Sequence, residues 1–201
     1  SNKKKKTSTK EKYITIGTIK TLSEIYGIDI LIKGFSLAYK KLLKSDLVLA
    51  KKMRLKIIGS GQQKRNLLDL ISSLGISEIS ILKDRVKHNC VPLEMNEISI
   101  FCAFSRQESF GVAVLEASAS GIPVITSDRG GLPEVVVDGA TGIIIKELTP
   151  EFASRAIVNL VKDQNLRTSL GNNGREFVTN RYNWINSVER VVQIYKSLLT
   201  K

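Results

Sequence analysis

Ser105-Arg-Gln-Glu-Ser-Phe-Gly-Val-Ala-Val-Leu-Glu-Ala-Ser-Ala-Ser-Gly-Ile-Pro-Val-Ile-Thr126 holds two carboxylates eight positions apart, Glu108 and Glu116, on either side of a Phe110-Gly111 turn. The residues before it, Ile98 to Phe104, form a short continuous apolar run. Such a run is the pattern of a strand buried on both faces. Polar Ser105 to Ser109 then fall at the carboxyl end of that strand, where open α/β sheets bind ligands. Gly111 lets backbone approach a ligand closely. A helix is expected from Val112 to Ser120, stopped by Gly121 and Pro123, with a strand at Pro123–Thr126. The first N–H groups of that helix lack intrahelical partners, and its dipole favours anions. Glu116 lies about one turn in and can face the same mouth. The unit suits a ligand with hydroxyls at one end and phosphates in the middle.

Outward from this unit, β and α patterns alternate. Upstream come strand 13–17, helix 26–44, strand 54–58, helix 62–74, strand 79–82 and a short helix near Leu93. Downstream come a short helix near Pro133, strand 142–145, and helices 150–162, 166–180 and 185–199. Gly171, Asn172, Asn173 and Gly174 interrupt a helical pattern, so that helix is expected to start late or to kink. The alternation predicts a single α/β Rossmann-like domain over 13–201, with a parallel sheet of about six strands and helices on both faces. Residues 1–12 are lysine-rich and poor in apolar side chains, and read as a basic, flexible linker.

Two further blocks join the first. Gly130-Gly131-Leu132-Pro133-Glu134 runs on through Asp138-Gly139-Ala-Thr141-Gly142, and Val86-Lys-His88 follows the strand 79–82. With Glu108-x7-Glu116, these resemble the donor-site half of retaining GT-B glycosyltransferases of family 4, also called glycosyl transferases group 1. Tyr13-Ile-Thr-Ile-Gly17 and Tyr26-Gly27-Ile-Asp29 resemble the first strand and helix of that half. The similarity runs from about Tyr13 to about Leu199.

The resemblance implies a nucleoside-diphosphate sugar as donor substrate, with no cofactor and no metal at the diphosphate. It implies that Glu108 lies by the donor sugar as the catalytic-site carboxylate, and that Glu116 accepts from the ribose hydroxyls. Backbone around Ser109, Phe110, Gly111, Val112 and Ala113 would meet the sugar and diphosphate, Gly17 would border them, and Val86 would meet the base edge. Developing charge on the leaving group would be stabilised by preorganised donors. The family commonly carries two cations on the distal phosphate, after the first strand and at the start of the first helix. Here those positions read Thr18 and Tyr26. Lys20 is the nearest cation; it either contacts phosphate, with loop 18–25 folding over, or is a solvated loop lysine. The resemblance also implies a missing N-terminal GT-B domain that binds the acceptor, so this chain alone is expected to be inactive. Helix 185–199 would cross to that domain, and otherwise exposes apolar surface open to self-association.

Composition sets the remaining bounds. At 42% hydrophobic, the 201 residues can bury a sizeable core, and no apolar run reaches membrane-spanning length. Two cysteines, Cys90 and Cys102, fit reduced thiols and a cytoplasmic protein. One histidine and two cysteines make a zinc site poor. The net charge of +12 is uneven: residues 1–54 carry 14 basic and four acidic side chains, the other 147 carry 17 and 15. This asymmetry fits a solvated linker and helix face, or docking at an anionic membrane surface on the inner membrane face. Nucleic acid is not expected, because aromatics are only 6% and do not interleave with the lysines.

Several residues keep two readings. Gly59-Ser60-Gly61 is a phosphate loop or a tight β-to-α turn; Lys64 stands where a dinucleotide fingerprint needs glycine. His88 is a base or a structural residue. Arg106 and Arg129 are phosphate contacts or solvated charges. Trp184 reads as core packing. A non-catalytic nucleotide-binding module is the alternative for the whole domain, and Thr18 and Tyr26 favour it.

Overall fold

The computed structural model describes residues 12–182 and 184–199, with backbone alone for 184–187. The expected basic linker falls almost wholly on 1–11, and the packing of Trp184 on a side chain of that set, so both lie outside the described residues. Six strands form one parallel sheet: β1 (Ile14–Ile19), β2 (Met53–Ile58), β3 (Ser80–Lys83), β4 (Ile100–Ala103), β5 (Val124–Ser127) and β6 (Gly142–Ile145). Their spatial order is β3-β2-β1-β4-β5-β6. The order in which strands are added therefore reverses between β1 and β4, which pair in parallel through Ile16↔Ile100 and Gly17↔Phe101. That switch point opens a crevice at the carboxyl ends of the strands.

The helices are α1 (Ile28–Ser45), α2 (Leu47–Lys52), α3 (Lys64–Ser73), α4 (Val91–Met95), α5 (Val112–Ala119), α6 (Leu132–Val135), α7 (Pro150–Lys162), α8 (Gln164–Arg181) and α9 (Trp184–Leu199). The sheet pleat sends alternate residues of β4 to opposite faces. Ile100 and Cys102 join the core under α1, α3 and α7, whereas Phe101 and Ala103 join the core under α4, α5 and α6. The observed fold is thus the expected single α/β domain with helices on both faces. Arg167 of α8, itself buried, donates to the carbonyls of Leu160 (2.6 Å) and Val161 (3.0 Å), closing the C-terminal turn of α7.

Three local expectations are corrected. First, β1 does not stop at Gly17: Thr18 and Ile19 continue the ladder against Ile57 and Ile58. Thr18 is buried, so the loop begins at Lys20. Second, α1 starts at Ile28 rather than Tyr26, because Gly27 adopts φ 60° and caps it. A Cβ there would meet the Phe104 carbonyl oxygen at 1.8 Å, so the helix start is pressed against the end of β4. Third, α8 runs unbroken through Gly171-Asn-Asn-Gly174. These glycines provide room for packing: a Cβ on Gly171 would stand 2.2 Å from the Gly121 carbonyl oxygen, and one on Gly174 would stand 3.2 Å from that of Thr141.

Gly171→Ala therefore separates propensity from packing. Propensity alone favours alanine in a helix by about 1 kcal/mol. The contact with Gly121 reverses the sign, and a net loss of about 1–3 kcal/mol is expected by urea denaturation. A variant more stable than the parent would contradict the close approach.

On α9, Val188, Val191, Val192, Ile194, Tyr195, Leu198 and Leu199 are 42–85% exposed, the apolar surface expected of the last helix.

Candidate functional site: the carboxyl-end mouth between β1 and β4

Four short segments meet at the switch point. Lys20 leaves β1, Tyr26 precedes α1, Ser105 to Glu108 leave β4, and Gly111 opens α5. Glu108 Oε2 accepts from Lys20 Nζ at 2.6 Å and from Ser105 Oγ at 3.2 Å. The two charged side chains are only 19% and 9% exposed, so water screens the pair poorly. Lys20 Nζ also lies 4.4 Å from the centroid of the Tyr26 ring, within cation–π reach. Thr18, Lys20, Tyr26, Ser105, Glu108 and Gly111 share one narrow hollow, with Ala113 on its far wall.

The loop carrying Glu108 is braced from both sides. Gly130, at φ 56°, lies so close that a Cβ would stand 1.8 Å from the Glu108 carbonyl oxygen. Gly131 N donates to that same oxygen at 3.0 Å. Its own Cβ position is 2.5 Å from the Ser109 oxygen. The Gly-Gly block and the Glu-x7-Glu block are therefore two faces of one contact. On the other side, Arg106 N donates to Ile25 O at 2.7 Å. Its guanidinium grips Asp29 through two bonds of 2.9 Å and reaches Glu24 O at 2.5 Å. Burial raises the Asp29 carboxyl, but the Arg106 hydrogen bonds and charge outweigh it and hold the group below its usual range. Arg106 is thus a clamp on the start of α1, a role that neither of its two sequence readings, phosphate contact or solvated charge, named. Arg129 pairs with its neighbour Asp128 at 3.1 Å, half exposed.

Gly111 adopts φ 95° as the N-cap of α5. This conformation lets the chain turn sharply from Phe110 into the helix; Val114 N donates to Gly111 O at 2.9 Å, so the N–H groups of Val112 and Ala113 are the first-turn donors left for the crevice. Ser109, Phe110 and Val112 are exposed on its lip. The Phe110 ring stands edge-on to Tyr182 at 5.8 Å, and Tyr182 donates to Glu134 O at 3.2 Å, tying α8 to the lip. Glu116 is half-buried, and its carboxylate takes no hydrogen bond or ion pair from any described residue.

Beyond Lys20 lies a second cavity of about 330 Å³, lined by Lys20, Gly59, Ser60, Val86, His88 and Val91 among others. Val86 and Lys20 thus face one continuous recess. Gly59-Ser60-Gly61 is a packed turn: Leu22 N donates to Ser60 O, Gln63 N to Leu22 O, and a Cβ on Gly59 would meet Lys20 O at 1.9 Å. Beneath it, Lys56 is buried in β2 and donates to Glu94 (2.7 Å) and Glu97 (2.5 Å), with Lys83 also on Glu94. Burial lowers the Lys56 pKa, but the hydrogen bonds and charges of both glutamates win and raise it. This network seats α4 under the recess. Gly17 is not brought to the mouth: it is buried inside β1, where a Cβ would meet Lys56 O at 2.6 Å, and Glu116 lines neither of the two hollows.

Sequence reading missed Tyr26 as a partner of Lys20, Ser105 as a donor to Glu108, and the lysine–glutamate network. The Lys56 bonds to Glu94 and Glu97 join residues 38 and 41 positions apart, whereas Lys20–Tyr26 and Ser105–Glu108 are local pairs that no sequence pattern marks. Both cysteines are free; burial pushes the Cys102 thiol well above its usual range, and Cys90 is half-buried near His88.

The model of the family "Glycosyl transferases group 1" matches residues 1–177. An uncharacterized glycosyltransferase of Methanocaldococcus jannaschii is 32% identical over 143 residues, covering 71% of this chain and 40% of its own length. This chain thus spans well under two thirds of that relative. Among solved structures, Anabaena HepE in complex with UDP and glucose superposes with a TM-score of 0.79 at 17% identity, over 92% of this chain and 49% of that one. The C-terminal domain of a Francisella tularensis glycosyl transferase group 1 family protein, LpcC, gives 0.74 at 24% identity, over 85% of this chain and 87% of that domain.

Proposed function

This chain belongs to the glycosyl transferases group 1 family, and on that premise we propose that its mouth binds a nucleoside-diphosphate sugar as the donor half of a retaining glycosyltransferase. One observation carries the reading. Glu108, Lys20 and the free first turn of α5 converge at the switch point, so a carboxylate, a cation and backbone donors line one crevice. Sugar hydroxyls donate to Glu108. The diphosphate meets the α5 N–H groups and Lys20, which stabilise the charge that develops as the sugar–phosphate bond breaks. Ribose hydroxyls donate to Glu116, and the base lies along Val86 in the adjoining recess. These groups supply the positive charge at the diphosphate, and the site works without metal or cofactor.

The acceptor, a saccharide or lipid-linked glycan, is bound by an N-terminal GT-B domain, and transfer keeps the anomeric configuration. Near-attack geometry needs both walls of that cleft. The 201-residue chain therefore binds donor without turning it over. It works in the cytoplasm, in the making of cell-surface glycans. A second reading, a nucleotide-binding module without transfer, is favoured by one fact: Thr18 and Tyr26 stand where the family commonly has cations, and Lys20 is held by Glu108.

Titration calorimetry with UDP and UDP-sugars tests the donor site. UDP binds equally well in chelator and in magnesium, and Glu116→Gln weakens UDP and UDP-sugar alike by about tenfold. Binding seen only with divalent metal would remove the metal-free site. No response to any nucleotide sugar would remove the donor reading.

A further inference from the structure

We propose that the end of the sheet opposite the mouth docks on an anionic lipid surface, through the corner between α1 and α2. The observations are a row of exposed cations, of which only Lys33 is paired with a described residue, Asp29 at 3.7 Å, and an apolar tip among them. α1 starts at the mouth beside Phe104 and, at 18 residues, carries its far end ~27 Å away at 1.5 Å per residue. Along its solvent face Lys33, Leu37, Lys40 and Lys44 recur at i, i+4, i+7 and i+11, and all are exposed. The chain then turns at Asp46 into α2, where Leu47 and Val48 are 50% and 68% exposed and Lys51 is exposed beside them. Lys40, Lys41, Lys44 and Lys51 form no ion pair with any described residue.

The corner continues into a concavity of about 680 Å³ whose rim includes Lys41, Arg155 and Lys162. It is larger than the recess by the mouth, but it lies where α7 ends and α8 begins, far from the carboxyl ends of the strands. It is therefore no part of the donor site. Its three cations outnumber its one acid, Asp163, and suit lipid headgroups, the same chemistry as the lysine row. β1 and β2 also begin at this end, so Lys12 and Arg54, both against the Tyr13 ring, add to the same field.

Charge complementarity alone would admit nucleic acid. The apolar tip decides for lipid: Leu47 and Val48 are aliphatic side chains aimed outward from a cationic rim, the arrangement that enters the headgroup boundary. Stacking on bases needs open aromatic rings; none stands among Leu43 to Lys52, and Tyr13 at the same end is already faced by Lys12 and Arg54.

Flotation of the chain with phosphatidylcholine vesicles, with and without phosphatidylglycerol, tests this. Binding is expected only with phosphatidylglycerol and falls with salt. Each lysine near an anionic bilayer strengthens partition about fivefold, so Lys44→Glu with Lys51→Glu is expected to weaken it about twentyfold or more. Leu47→Ser with Val48→Ser is expected to weaken it about tenfold, at unchanged charge. Arg65→Glu, the same charge change per site but on α3, leaves partition within about twofold of the parent. Thermal melting of each variant checks folding, and a variant that melts early is replaced by Lys44→Gln with Lys51→Gln. Full binding by the corner variants would place attachment elsewhere, the lysine-rich opening residues included, and overturn the proposal. Equal binding to neutral vesicles, or salt-sensitive capture of RNA or DNA without vesicle binding, would overturn it too.

Discussion

Gly130→Ala is expected to unfold the mouth, with a stability loss of about 3 kcal/mol or more and loss of UDP binding. Two costs add. An alanine at φ 56° pays the left-handed penalty of about 1–2 kcal/mol. Its Cβ would also stand 1.8 Å from the Glu108 carbonyl oxygen and 2.9 Å from the carbonyl carbon. Those neighbours are backbone, so relief requires moving the loop that carries Glu108. Gly139→Ala is the matched comparison: its φ is 72°, but a Cβ there meets nothing within 4 Å. It should lose only the backbone penalty. Urea denaturation of both variants reads the difference, and equal losses would mean that the contact with Glu108 adds nothing.

Glu108→Gln is expected to uncouple the two ends of the donor. The amide keeps an acceptor oxygen but loses the charge that holds Lys20 at 2.6 Å. Lys20 is then free to face phosphate, so UDP binding is retained or tightened. The sugar loses a charged acceptor, worth about 1.5–3 kcal/mol, so a UDP-sugar should bind roughly ten- to a hundredfold more weakly relative to UDP. Titration calorimetry of both ligands on both proteins measures the ratio. An equal change for UDP and for the UDP-sugar would contradict a sugar-side role for Glu108.

The part of the fold written locally was legible. Ile98 to Phe104 is apolar because both faces of β4 are covered, and that pattern needs no knowledge of the partners. Gly111 likewise announced close backbone, though nothing local said that the Gly130-Gly131 block presses on the loop of Glu108. What could not be read depends on distant chain. Thr18 looks like a loop residue until Ile57 pairs with it. Gly171 looks like a helix breaker until Gly121 lies against it. Arg106 looks like a free cation until Asp29, 77 residues earlier, accepts from both its terminal nitrogens. The site shows the same division. Its carboxylates and its helix start were visible, while the partners that fix Glu108 are Lys20, 88 positions away, and Ser105, inside the same stretch but with no pattern that marks it as a donor.

The two thiols differ enough to be useful at the bench. Thiol reagents attack the thiolate at accessible sulfur, so Cys102, fully buried with a strongly raised pKa, stays silent in the native protein. Cys90 is the accessible sulfur, two residues from His88 and next to Val91 on the rim of the recess. The unaltered sequence therefore carries one addressable handle beside the crevice. A fluorophore attached there would sense occupancy of the recess directly, with no cysteine to remove and none to introduce.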